Sequence, residues 1–117
     1  MVILINILLY LIKQDIHNEY NMLIVGVLCV ELHIPGAESL KDKRSVVKSM
    51  LERSRNKFGV SSAEIEKLDS FREAVLAFSY LANDKRFVES VLRKVETYLE
   101  SFPESEIMDS DIELIDI

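Results

Sequence analysis

The chain has 117 residues, with 14 Lys and Arg against 20 Asp and Glu, a formal net charge of -6, 49% hydrophobic residues and 29% charged ones. That balance fits one soluble globular domain and argues against a disordered tail, a two-domain enzyme, or a domain held to nucleic acid by bulk charge, although a locally basic patch remains compatible with it. A single cysteine, Cys29, allows no intrachain disulfide and no all-cysteine metal site, and His17 and His33 are too few and too scattered for a zinc cluster, so a reducing cytoplasmic compartment fits.

The opening run, MVILINILLYLI, is broken only by Asn6. It is too short to span a bilayer, has no basic residue ahead of it and leads to no small-residue cleavage site. Residues 1–21 therefore read as an apolar-rich, loosely attached extension, with an added helix or strand and a membrane-associated helix as alternatives. Lys13, Asp15, His17, Asn18 and Glu19 form a polar bridge to Met22, which offers a second start and where regular patterning begins.

Residues 22–34, MLIVGVLCVELHI, read as a long central strand, apolar on both faces at first and closed by Pro35-Gly36. Ser39 and Asp42 then resemble a helix cap, and LKDKRSVVKSMLERSRNKF places Leu40, Val47, Leu51 and Phe58 on one helical face, flanked by Met50 and Ser54, before Gly59 stops it. Residues 60–68 give a short edge strand in which Ala63 and Ile65 face away from Glu64 and Glu66. In residues 71–82 a second interior strand carries Leu76, Phe78 and Tyr80 on one face and Val75, Ala77, Ser79 and Leu81 on the other. Asn83 or Asp84 caps the next helix, whose Phe87, Val88, Val91, Leu92, Val95 and Leu99 form an apolar stripe ended by Pro103. A final strand, IMDSDIELIDI, has a polar break around Asp109 to Asp111.

The expected fold over residues 22–117 is thus a single α/β (α+β) domain of ferredoxin-like βαββαβ order. Two helices cover one face of a four-stranded antiparallel sheet, and the other face is left for water, a ligand or another protein.

The first of these helices carries the main polarity feature. Between Lys41 and Lys57 seven basic residues stand against Asp42 and Glu52, a local balance of +5. At 100° per residue Lys41, Arg44, Lys48 and Arg55 fall within about 60° of one another, a ridge suited to phosphates or an acidic protein surface. The bland reading is a solvated face in which Lys48 pairs with Glu52. Residues 96–117, by contrast, hold eight acidic groups and no basic one.

Catalytic signals are sparse. Glu31 and His33 share a strand face roughly 6.6 Å apart, close enough to cooperate on a proton or a metal, but nothing completes such a site and a surface pair is the simpler reading. Asp109, Asp111 and Glu113 alternate onto one side, where carboxylates ordinarily stay hydrated. There is no dinucleotide-binding glycine loop, Walker loop or His-Glu-x-x-His motif, and no cofactor is expected. Phe78 and Tyr80 alternate as the base-stacking aromatics of an RNA-recognition sheet do, but the first strand offers Val25, Val27 and Cys29 in place of aromatics, and packing is the simpler role.

Three stretches, LIVGVLCVELHIPGAESLKDKRSVVKSMLERSRNKFGVSSAEI, FREAVLAFSYLANDKRFVESVL and an acidic final strand with DIE, resemble the YlxP-like family of small bacterial proteins, a domain of unknown function. The resemblance spans residues 22–117 and rests most specifically on HIPGA joined to SLKDKRSVVKS. It implies a ferredoxin-like domain without a secure enzymatic role. Family genes often neighbour those for translation initiation, transcription elongation and ribosome maturation, which points toward RNA or the ribosome. The family pattern singles out His33, Pro35, Gly36, Ser39, Leu40, Lys41, Lys43, Arg44, Val47, Asn83 and Asp84. Of these, Lys41, Lys43 and Arg44 are the contact candidates.

The expectation is therefore a non-enzymatic accessory protein that contacts structured RNA or a ribosomal particle through Lys41, Lys43, Arg44, Lys48 and Arg55. A homodimer formed through the sheet face or edge is a further expectation. The alternatives are a homo-oligomeric protein-protein module and, remotely, a small-molecule enzyme using Glu31 and His33.

Overall fold

The computed structural model describes the backbone of residues 2–17 and 22–117 and the side chains of residues 3–11 and 22–117. In chain order its elements are α1 (Val2–His17), β1 (Ile24–His33), α2 (Leu40–Phe58), β2 (Ser61–Glu66), β3 (Glu73–Ala82), α3 (Lys85–Glu100) and β4 (Glu106–Asp116). The strands form one antiparallel sheet in the order β2-β3-β1-β4. The fold is thus mixed α+β with three helices among the described residues, where two were expected. The additional one is α1, which takes up the apolar run; the polar bridge expected from Lys13 to Glu19 lies outside the residues whose side chains are described.

Alternation divides the sheet into two unlike faces. On β1, Ile24, Leu28, Val30 and Leu32 are buried, and on β3 so are Ala74, Leu76 and Phe78. They meet Val47 and Met50 of α2 and Val88, Val91, Leu92, Val95 and Leu99 of α3. Fully burying a side chain of this kind contributes about 1.5–3 kcal/mol against the cost of ordering the chain. The opposite face carries Val25, Val27 and Cys29 of β1 beside Leu81, Ser79 and Ala77 of β3. No helix covers it.

The helix ends follow local chemistry. Ser39 Oγ accepts the Asp42 amide at 3.1 Å, and the Asp42 carboxylate accepts the Glu38 amide at 3.0 Å. Two amides at the start of α2 are thereby satisfied. Gly59 ends the helix at φ 68, in the left-handed region that glycine enters without penalty, and donates its amide to the Arg55 carbonyl at 3.0 Å. Of the two cap candidates for α3, it is Asp84 that accepts the Phe87 amide, at 3.0 Å.

Some details depart from the sequence reading. The buried stripe of α2 is Lys43, Val47, Met50 and Ser54, while Leu40, Leu51 and Phe58 are only half-buried at its margin. Phe87 likewise lies outside the buried stripe of α3, 52% exposed and edge-on to Tyr80. Strand β4 has no break at Asp109 to Asp111: it is continuous, and its irregularity falls opposite Glu31 and Leu32, where Met108 is the extra residue. The carboxylates of Asp109, Asp111 and Glu113 alternate onto the open face, while Ser110 turns inward and donates to Glu96 at 2.6 Å.

Gly26 fixes how closely α3 can lie on the sheet. A Cβ there would stand 2.4 Å from Val88 Cγ1 and 2.7 Å from Leu92 Cδ1, so only a residue without one lets the helix seat. Gly26→Ala is expected to destabilise the fold by about 1–3 kcal/mol through overpacking. In urea unfolding the midpoint should fall with the slope unchanged; an unaltered midpoint would show that α3 has room to shift.

Candidate nucleic-acid interface

Helix α2 presents three distinct sides, and the position of Lys43 sorts them. Four residues before Val47, Lys43 falls in the inward stripe and is 0% exposed. Its Nζ donates to Glu64 Oε2 at 2.8 Å and to the backbone carbonyls of Lys67 at 2.9 Å and Glu73 at 3.2 Å, with the Leu68 carbonyl at 3.4 Å. An ammonium has three protons, so these acceptors satisfy it completely. Lys43 is therefore withdrawn from the expected contact set. It bolts α2 to the β2–β3 connection.

That connection is itself shaped for the task. Lys67 lies at φ 59, a conformation that costs a non-glycine residue about 1–2 kcal/mol, and its carbonyl accepts from both Lys43 and the Ser70 amide. Its own ammonium pairs with Glu31 at 3.0 Å and Glu73 at 2.8 Å. Hydrogen bonds donated to Glu73 and then to Glu31 hold the Lys67 ammonium above the ordinary lysine range, and Lys67 in turn holds the Glu73 carboxyl below its ordinary value. All three side chains are over one-third exposed, so screening keeps the pairs weak.

The second side is the basic ridge. Lys41, Arg44, Lys48 and Arg55 are all exposed. Among the described residues no carboxylate lies within ion-pair distance of any of the four, and the expected Lys48–Glu52 pair is not formed. Arg55 Nη1 donates to the Ser62 carbonyl at 3.2 Å, and Ser62 Oγ donates to the Leu51 carbonyl at 3.2 Å. These bonds set the ridge along the outer edge of the sheet, beside β2. From Lys41 to Arg55 it runs about 21 Å.

The third side faces α3 and was not singled out from the sequence. There Lys57 Nζ stands 4.8 Å from the centre of the Tyr98 ring and 5.9 Å from that of Phe58, and Arg53 Cζ stands 5.8 Å from that of Phe102. Tyr98 meets Phe58 and Phe102 edge-on at 5.5 and 5.3 Å. The i,i+4 spacing of Arg53 and Lys57 was legible, but not which aromatics of α3 would meet them.

On the open face Glu31 and His33 line one cavity of about 300 Å3 together with Lys67, Glu73 and Met108, each with an ion partner of its own. Glu31 is taken by Lys67, while His33 Nδ1 lies 3.8 Å from Glu106 Oε2. Among the described residues no group of three or more His, Cys, Asp or Glu side chains is gathered as a metal would require. Phe78 is 1% exposed and Tyr80 half-buried, both on the helix-covered face, so neither is open to a base stacked on the sheet. Burial, and then the charges of Asp111, Glu113 and Glu66, push the Cys29 thiol above its ordinary pKa.

A family model described as "Protein of unknown function (DUF503)" matches residues 25–112. The chain belongs to the DUF503 family. The "Uncharacterized protein YlxP" of Bacillus subtilis (strain 168) is 35% identical over 82 residues, covering 70% of this chain and 89% of that relative. Among solved structures, the "De novo designed protein Foldit4" is similar with a TM-score of 0.43 and 14% identity, over 81% of this chain and 96% of the other. No described helix of this DUF503 protein is long and apolar enough to cross a membrane.

Two expectations follow for the family member in hand. Lys43→Met should cost about 3 kcal/mol or more in urea unfolding, because it strands the Glu64 carboxylate, whose side chain is 14% exposed, and takes a donor from the carbonyls of Lys67, Leu68 and Glu73. Glu64→Gln should cost less, since the carbonyls remain; a Lys43→Met protein as stable as wild type would remove the bolt. For Cys29, the rise of thiol reactivity toward a disulfide reagent should fall at higher pH than for a free cysteine, and Asp111→Asn should bring it down. An Asp111→Asn profile superimposable on wild type would contradict the charge effect.

Proposed function

We propose that the protein is a non-enzymatic accessory factor that contacts structured RNA or a ribosomal particle through the exposed ridge of α2. The observation that carries this reading is that Lys41, Arg44 and Lys48 are exposed and unmatched by any carboxylate within ion-pair distance among the described residues, in a chain of net charge -6. Cations left unpaired in an acidic protein are available to phosphate, and binding them releases counterions from the nucleic acid. The contact set in this reading is Lys41, Arg44, Lys48 and Arg55, with Arg55 also holding β2. The acidic strand β4 lies at the opposite edge of the sheet from β2. It supplies orientation, turning the ridge toward a polyanion and the carboxylates away.

The same reading takes residues 22–117 as a ferredoxin-like double βαβ unit working in the cytoplasm. The strand order β2-β3-β1-β4 and the antiparallel pairing of β1 with both β3 and β4 support that description.

A second reading is self-association through the open sheet face. It is supported by Leu81, 60% exposed beside half-buried Val25 and Val27. It is weakened by Glu31, Asp109, Asp111 and Glu113 on the same face, since an apposed copy would set carboxylates against carboxylates. Light scattering across a concentration series tests it: a fixed monomer mass removes this reading.

For the leading reading, the test is cosedimentation with ribosomal subunits at low and physiological salt. The triple variant Lys41→Glu, Arg44→Glu, Lys48→Glu should weaken association about tenfold or more and flatten its salt dependence. No association by the wild-type protein, or association indifferent to the reversal, would overturn it.

A further inference from the structure

A groove runs between α2 and α3 on the flank of α2 away from the ridge. Two cavities, about 350 and 490 Å3, share Tyr98 and Ser101. Arg53 and Ser49 line the first; Lys57, Lys94 and Thr97 line the second. The groove thus has a cationic rim, an aromatic floor and hydroxyls between them.

The charges on the rim are not already spent. Arg93 is shared by Glu89 at 3.5 Å and Glu96 at 3.6 Å. Arg53, Lys57 and Lys94 have no carboxylate within ion-pair distance among the described residues, although Glu104 lines the first cavity. Arg53 and Lys57 rest over aromatic rings, which orients a cation without neutralising it. An anion is therefore the complementary occupant. Phosphate alone would use the rim and leave the floor idle, and an acidic peptide would bring carboxylates with no flat apolar surface for Tyr98. A nucleotide uses both, and cavities of this size suit a ligand of its dimensions.

We propose that the groove between α2 and α3 holds one unpaired nucleotide of an RNA, its phosphate met by Arg53, Lys57 and Lys94 and its base laid on Tyr98. The inference rests on the reading of α2 as an RNA-facing helix and adds a second, single-strand-selective contact to it. Lys57 covers the Tyr98 ring in the free protein. Its ammonium sits on a flexible, exposed stem, so an arriving phosphate draws it off the ring and frees the face for the base.

The test uses the full chain, with a labelled single-stranded RNA hexamer, a blunt RNA duplex, mononucleotides and a hexaglutamate peptide as probes. The hexamer should bind, and Tyr98→Leu and Lys57→Glu should each weaken it about tenfold, the scale of losing one stacked base or one phosphate contact. Tyr98→Phe, which keeps the ring, should retain binding, and thermal melts of each variant separate a binding loss from unfolding. The triple reversal of the ridge should weaken the duplex far more than the hexamer. Hexamer binding unchanged in folded Lys57→Glu and Tyr98→Leu overturns the groove site, and if cosedimentation still depends on the ridge, the proposed function stands without it. Mononucleotides bound as tightly as the hexamer overturn the RNA occupant in favour of a free nucleotide. Hexaglutamate bound as tightly overturns it in favour of an acidic protein.

Discussion

A fully buried ammonium is the constraint from which the rest of the structure can be understood. Lys43 is enclosed without solvent, and it is tolerable there only because Glu64 and carbonyls of the 67–73 segment surround it. One side chain thereby fixes the rotation of α2 about its axis, the seat of β2 and the left-handed turn at Lys67. Rotating α2 by one residue would bury a different side chain and strand these acceptors.

Once that rotation is set, the remaining cations of α2 separate into two groups. Lys41, Arg44, Lys48 and Arg55 lie on the β2 side, with Arg55 fastened to Ser62, while Arg53 and Lys57 lie over the aromatic cluster shared with α3. A helix that looks uniformly basic in the sequence is a bolt, a ridge and a groove wall in space. The open sheet face has the opposite sign, since Glu31, Asp109, Asp111 and Glu113 border its apolar centre, and burial together with Asp111 and Glu113 disfavours the thiolate of Cys29. In the proposed reading a polyanion would meet the protein with the helices foremost.

Much of the fold was legible because it rests on local periodicity. The bounds of α2 follow from the Ser39 cap and Gly59, and the inward set of β3 follows from alternation. What escaped depended on partners distant in sequence. Lys43 shares the spacing of Val47, Met50 and Ser54, yet a lysine in a buried stripe is recognisable only when its acceptors, 21 to 30 residues onward, are known. The partners of Glu31 and His33 were hidden for a similar reason: adjacency on one strand did not reveal that Lys67 would pair with the first and Glu106 stand beside the second. The groove needed the relative placement of two helices, which no pattern within either helix specifies. At β4, the polar run from Asp109 to Asp111 resembled a break, whereas an edge strand with one wet face accommodates its carboxylates by alternation.

Lysine labelling of the folded protein, read residue by residue by mass spectrometry, bears most directly on the division of roles along α2. Lys41 and Lys48 should react at the rate of free surface amines and become protected when structured RNA is added, while Lys43 stays unlabelled until the protein unfolds. Labelling of Lys43 at the rate of its neighbours, or no protection of Lys41 and Lys48 by RNA, would contradict it.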